Sequence, residues 1–373
     1  MGDFIAVNEP LLDGNEKRYL MECIETGWIS SEGPFVKEFE ERFARRVGRE
    51  CGIAVANGSG ALDIAVKALR LGPGDEVILP TFTIISCAAS IVRSGATPVV
   101  VDADPVTWNM DVGQVEARIT PATKAIMVVH IYGLPVDMDP LLELARRHGL
   151  KVIEDAAEMH GQTYRGRPCG SFGDISTFSF YPNKHVTTGE GGMLVCDDPG
   201  LAERCRSLRN LCFQPSRRFV HEELGWNYRM TNLQAALGLA QLERLDEFVE
   251  KKRAMGRRYR ELLAGIPGLQ MPAGDCDFAD NIFWVFGVVL DDELPFDAQE
   301  AMRRLSALGI GTRPFFWPMH EQPVFTGGGL FAGERHPVAE RLARRGFYLP
   351  SGLALTGDQQ ARVAAAVREA VCR

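Results

Sequence analysis

Residues 175–192 read ISTFSFYPNKHVTTGEGG, and MLVCD follows at 193–197. The apolar, β-branched run Ile175–Phe180 reads as a buried strand, and Met193–Asp197 as the next one. Between them stands Lys184, flanked by Asn183 and Thr187 and followed by Gly189, Gly191 and Gly192. Most lysines stay solvated. This one directly follows an apolar strand, and the glycines after it let backbone pass close to a ligand. A lysine confined in such a place loses its proton readily and is able to form a Schiff base.

Working outward, similar short runs recur at Gly52–Ala56, Glu76–Pro80, Thr97–Asp102, Lys124–His130 and Lys151–Asp155. Helical patterns at Ala61–Leu71, Asp111–Arg118 and Asp139–His148 separate several of them. Such alternation predicts an α/β fold with a mainly parallel sheet covered by helices on both faces. Thr231, with Gln234 three residues on, opens a capping box, and the apolar spacing through Val249 predicts one long helix joining two domains. Beyond about Gly265 a strand-like run at Ile282–Leu290, a helix at Ala298–Leu308 and a last helix from Asp358 predict a smaller α+β domain. The expected division is 1–245 and 246–373.

The chain has 373 residues and a formal net charge of -8, which argues against a protein that neutralises a nucleic-acid backbone. Met1–Pro10 lacks a basic segment followed by an apolar one, and the nine cysteines include no CxxC pair. A reducing cytoplasm is the expected compartment. The longest apolar-leaning stretch, Thr81–Val92, is about a dozen residues, short of the roughly 20 that span a bilayer.

Three further features fall where strands of an open α/β sheet end and ligands collect. NGSGALD (Asn57–Asp63) turns on Gly58 and Gly60 and starts a helix whose free amides suit a phosphate, although a plain strand-to-helix connection looks the same. Asp155 ends its strand and is followed by Ala156 and Ala157, which leave room for a flat ring. Its carboxylate serves either a protonated pyridine nitrogen or a helix N-cap. Asn227 and Arg229, in GWNYRMTN, precede the long helix and read as capping residues or ligands. His221 and Glu222 do not continue into HExxH, no GK[ST] loop occurs, and GEGG lacks a dinucleotide fingerprint. No metal site is expected, and His130 and His160 read as satisfied buried histidines.

In order along the chain, NGSGALD, GPGDEVILPTFT, SGATPVVVDAD, VIEDAAE, FGDISTFSFYPNKHVTTGEGGML and GWNYRMTNLQAALGLAQLERLD resemble the DegT/DnrJ/EryC1/StrS sugar aminotransferases. The resemblance implies fold type I of the pyridoxal-phosphate (PLP) enzymes, aspartate aminotransferase-like, with a mainly parallel seven-stranded sheet. It implies PLP as cofactor, L-glutamate as amino donor with 2-oxoglutarate as its product, and a homodimer with sites at the interface. Lys184 matches the lysine that bonds the cofactor, and Asp155 the aspartate on the pyridine nitrogen. Gly58, Ser59 and Ser179 match the phosphate cradle, and Asn227 the asparagine that reaches the phosphate from the other subunit. Ala157, Glu158 and Asn183 are expected beside the ring.

The segments around Trp28 and Ser30, Glu158, and Arg313–His320 resemble members of the family that aminate a GDP-linked 4-keto-6-deoxymannose for lipopolysaccharide O-antigen. Trp28, Ser30, Glu158, His185, Arg229, Arg313, Trp317 and His320 are therefore the expected sugar-nucleotide contacts. Ile84 departs from an aromatic common in the family, and Trp317 from a histidine. Related PLP-dependent sugar 3-dehydratases share the fold and the SFYP and GEGG flanks but carry histidine where this chain has Lys184, which favours transamination. A UDP- or dTDP-linked keto-sugar is the alternative substrate.

Overall fold

The computed structural model describes residues 4–214 and 216–372; Met1–Asp3, part of the segment read above for a leader, and Pro215 and Arg373 lie outside it. Seven strands form the central sheet: β1 (Cys51–Val55), β2 (Glu76–Pro80), β3 (Thr97–Val101), β4 (Thr123–Val129), β5 (Lys151–Asp155), β6 (Ile175–Ser179) and β7 (Gly192–Cys196). Their order is β1-β7-β6-β5-β4-β2-β3. β7 runs antiparallel to both neighbours and the remaining pairs are parallel. This is the mainly parallel seven-stranded sheet expected of the fold.

Buried β-branched and apolar side chains alternate between the two faces of these strands. Ile53, Val55, Val77, Leu79 and Met127 join one core, and Ala54, Ile78, Ile126 and Val128 the other. Helices α1 (Glu16–Thr26), α2 (Pro34–Arg46), α3 (Gly58–Ala68), α4 (Ile85–Ser94), α5 (Met138–His148) and α6 (Pro199–Arg209) flank or precede the sheet. Phe35, Phe39 and Phe43 put one stripe of α2 into the second core, against Phe178 and Phe180.

Two helical expectations are corrected. Residues 111–118 form two short 3-10 turns, Val112–Gln114 and Glu116–Arg118. The Asp111 carboxylate accepts from the Gly113 amide at 3.0 Å, and this local bond competes with a helical turn. The long helix is two helices, α7 (Asn232–Leu242) and α8 (Leu245–Leu263). At the break Glu243 receives Asn15 and Tyr19 at 2.7 and 2.6 Å, and Arg244 pairs with Asp13 and Glu247. The Thr231–Gln234 capping box is present.

After α8, strands β8 (Leu269–Gln270), β9 (Phe286–Leu290), β10 (Arg313–Pro314) and β11 (Gly346–Leu349) form an antiparallel sheet of order β8-β9-β11-β10. The expected strand from Ile282 therefore begins at Phe286. Helices α9 (Ala298–Ala307), α10 (Pro337–Arg345) and α11 (Gly357–Cys372) accompany this sheet, which has its own core around Phe286, Val288 and Phe347. Among the described residues no helix is long and apolar enough to cross a membrane.

Candidate active site

The carboxyl ends of β1, β5 and β6 open onto a cavity of about 890 Å³, closed from the other side by residues 313–317 and by Trp284 and Tyr348. Gly58, Ser59, Asp155, Ala157, Glu158, Ser179, Asn183, Lys184, Arg313 and Trp317 all line it. The parallel strand ends explain the convergence, because each delivers its next loop to the same edge.

Local bonds fix Lys184. After β6 the chain turns, with the Lys184 amide donating to the Tyr181 carbonyl at 2.9 Å, and the Thr187 hydroxyl donating back to the Phe180 carbonyl at 2.9 Å. The side chain is 10% exposed and its Nζ lies 3.8 Å from a Glu158 carboxylate oxygen. Burial pulls the amine below its ordinary range, opposed by Glu158 and Asp155. Burial pushes Glu158 up to about 8, opposed first by Lys184 and then by the Tyr132 amide, which donates to Oε2 at 2.6 Å.

Asp155 is buried at the end of β5. The Ala157 amide donates to Oδ1 at 3.1 Å, and the Cys87 thiol to Oδ2 at 3.3 Å. Burial raises its carboxyl above the usual range, and these two bonds only partly offset that. A carboxylate left so in a cavity calls for a cation, which a protonated ring nitrogen supplies.

The opposite end of the cavity suits an anion. Asn57 caps α3 by accepting from the Gly60 amide at 2.8 Å, and Ser59 sits in the first turn, its hydroxyl 2.7 Å from that of Ser86. A Cβ at Gly58 would stand 2.8 Å from the Ser179 Cβ, so glycine keeps the cradle open. Thr177 Oγ1 and Asn183 Oδ1 are buried without hydrogen-bond partners, polar atoms left for a bound group. An amine, a carboxylate and a helix N-terminus thus match the aldehyde, ring nitrogen and phosphate of PLP.

Other expected residues lie elsewhere. His185 is buried behind the Lys184 turn, its ring 6.4 Å from that of His160, and does not line the cavity. His320 is buried and clamped, with Nδ1 2.7 Å from the Thr81 hydroxyl and Nε2 3.3 Å from Glu340. Trp28 and Ser30 accept through their carbonyls from Asn232, at 2.7 and 2.8 Å, at the start of α7. Arg229 lines a separate surface recess with Ser31 and Asn210, and Asn227, exposed, pairs with Asn210 across a bridge. The cavity's own edge also holds Thr83, Tyr181, Trp284 and Tyr348, which sequence reasoning did not single out. Trp284 lies in a run that reads as a plain strand, and only tertiary packing brings it here.

The sequence profile of the DegT/DnrJ/EryC1/StrS aminotransferase family matches residues 10–368. The chain is 47% identical over 363 residues to the GDP-perosamine synthase of Caulobacter vibrioides, covering 97% of each chain. It is 40% identical over 366 residues to the GDP-perosamine synthase of Escherichia coli O157:H7, covering 98% of each. Its structure is similar to that of the aminotransferase TlmJ from Streptoalloteichus hindustanus, with a TM-score of 0.91, 32% identity and 99% of each chain covered.

Proposed function

The chain belongs to the DegT/DnrJ/EryC1/StrS aminotransferase family, and from that premise we propose that it transfers an amino group from L-glutamate to GDP-4-keto-6-deoxy-D-mannose, giving GDP-perosamine. It is a PLP-dependent sugar aminotransferase. The observation that carries the site assignment is the convergence of Lys184, Asp155 and the α3 N-terminus on one cavity.

Bound PLP supplies an electron sink and a carrier for the amino group. In the proposed arrangement Asp155 holds the proton on the ring nitrogen, and the α3 amides with Ser59 and Ser179 receive the phosphate. Lys184 would hold the cofactor's aldehyde carbon, and its free amine would serve as the base and acid at the reacting carbon. Burial favours its neutral, basic form. Glu158 is poised to hand protons to and from it, since its own carboxyl is held near neutrality.

The substrate reading is supported by the two GDP-perosamine synthases. Arg313 is exposed on the cavity wall, a free cation edge for a diphosphate or a carboxylate, and Trp317 offers a face to a base or sugar. The proposal includes a division at residues 245 and 246, a cytoplasmic homodimer and a product used in lipopolysaccharide O-antigen. All nine cysteines are free thiols, as a reducing compartment favours. Asn227 is exposed and lies outside its own chain's cavity, a placement compatible with its reaching the phosphate of the partner's site.

The test compares kcat/KM for GDP-, UDP- and dTDP-linked 4-keto-6-deoxy sugars with glutamate as donor. The GDP sugar should lead by about tenfold or more, a discrimination that one or two lost polar contacts provide. A better UDP or dTDP substrate would overturn the nucleotide assignment and leave the reaction class standing.

A further inference from the structure

Trp284 sits at the junction of three bonds. The Lys184 Nζ lies 3.7 Å from the centre of its indole ring. Its Nε1–H donates to the Asn183 carbonyl at 2.8 Å, immediately before Lys184. Its own carbonyl accepts from the Lys252 ammonium at 2.7 Å, and Lys252 also donates to the Ser351 carbonyl. Trp284 is 4% exposed and packs on the Tyr132 ring at 6.0 Å, tilted by 29°. It is two residues ahead of β9, so it reaches Lys184 from the four-stranded sheet while Lys184 follows the seven-stranded one.

We propose that Trp284 is the positioning residue for Lys184, its indole face holding the amine while its N–H fixes the turn that carries it. The inference rests on Lys184 being the residue that bonds PLP. An indole face is electron-rich and attracts a cation, the more so out of water. Lys184 and the fully buried Lys252 both contact Trp284, one through its ring and one through its carbonyl. Lys252 on α8 thereby anchors the tryptophan backbone, and the Nε1–H bond to the Asn183 carbonyl holds the ring beside Lys184. A leucine at this place would keep the site apolar but offer neither the face nor the donor.

The other charged or titratable groups around the Lys184 amine are Asp155 at the end of β5, Glu158 and His160 after it, His185 next in sequence, and Lys252 from α8. Tyr181 and Tyr348 lie on the same cavity wall. Substitution at Trp284 leaves each of these residues in the chain and keeps the backbone carbonyl that Lys252 bonds, so the change in the amine's titration is read against the same set of charges.

The experiment measures the rate at which the full-length protein, freed of cofactor, captures added PLP covalently, as a function of pH. Only the unprotonated amine attacks, and the ionisations of PLP itself are common to all variants, so a difference in midpoint between variants reports Lys184. Removing a group that stabilises the ammonium lowers that midpoint. Trp284→Leu should lower it by about one pH unit, the scale of a desolvated cation–π contact. Trp284→Phe, which keeps a weaker face and loses the donor, should lie between. A midpoint unchanged or raised in Trp284→Leu, with far-ultraviolet circular dichroism like that of the unaltered protein, would overturn the proposal. Borohydride reduction of the unaltered holoenzyme and peptide mapping run alongside. A pyridoxyl group on another lysine, such as Lys252, refutes the Lys184 assignment itself, whereas a group on Lys184 with an unmoved midpoint refutes only the role of Trp284.

Discussion

Lys184 and Glu158 face each other across 3.8 Å, and both side chains are at least nine-tenths out of water. Burial drives the two toward neutrality from opposite directions, the carboxyl up to about 8 and the amine down. Each group thereby favours the uncharged form of itself, and the charge of each opposes that shift in the other.

This makes a pH prediction for the protein without cofactor. The Glu158 carboxyl is raised from an ordinary 4.5, so the stability it contributes is complete below that value and is lost as pH rises through about 8. Lys184, lowered, contributes in the opposite sense, losing stability as pH falls. Glu158→Gln removes the first effect and, by taking away the charge that opposes the burial of Lys184, deepens the second, which acts in the same direction. Its thermal unfolding midpoint should gain on the unaltered protein as pH rises from 4.5 to 8, at up to about 1.4 kcal/mol of relative stability per pH unit. Parallel pH profiles would show that Glu158 does not titrate in that window.

Asp155→Asn should retain the fold, since the Ala157 amide at 3.1 Å still meets a side-chain oxygen. A neutral amide does not hold the ring-nitrogen proton, and kcat should fall by about 100-fold or more, roughly 3 kcal/mol of lost charge stabilisation. Steady-state kinetics at saturating substrates decide it, and an unchanged kcat would assign the ring proton to another group.

His320, expected to touch the sugar, instead ties the cavity loop to the end of β2. Its Nδ1 meets Thr81, its amide donates to the same hydroxyl at 3.3 Å, and the Met319 amide donates to the Thr81 carbonyl at 2.8 Å. His320→Ala should cost about 1–3 kcal/mol of stability through the buried partners it strands, measured by denaturant unfolding. Stability unchanged with activity abolished would return His320 to the substrate.

Strand positions in the seven-stranded sheet were legible because most of its strands are short β-branched runs bounded by turns, whereas Gly346–Leu349, which has no β-branched residue, was not. Glu76–Pro80 and Lys151–Asp155 match residue for residue. Helices α1 and α2 were not singled out: they are polar outside one stripe, although Phe35, Phe39 and Phe43 carry a helical repeat. The Asp111 region failed because a side-chain bond to Gly113 overrides helical periodicity. In the site, Lys184, Asp155 and Gly58 were legible from strand-end position and glycine placement. Trp284 and the Thr81–His320 clamp were not, because their partners are about 100 and 239 residues away and no local pattern encodes such contacts.

Asn227 is exposed and lies outside the cavity of its own chain. If a two-fold partner completes each site, mixing Lys184→Ala chains with Asn227→Asp chains yields dimers with one intact site. Refolding the two together should restore activity above that of either parent, toward about a quarter of a normal site count for random pairing. Confirmed mixed dimers without recovery would show that each chain builds its site alone.

The most direct measurement of the central claim is a single turnover followed by absorbance. Glutamate alone should convert the lysine-bound cofactor of the holoenzyme to its aminated form with release of one 2-oxoglutarate per site. Addition of GDP-4-keto-6-deoxymannose should then restore the original spectrum and release one amino-sugar. The Lys184→Ala protein should do neither at a comparable rate. Restoration only by 2-oxoglutarate and by no nucleotide-linked keto-sugar, or full turnover in Lys184→Ala, would contradict the account.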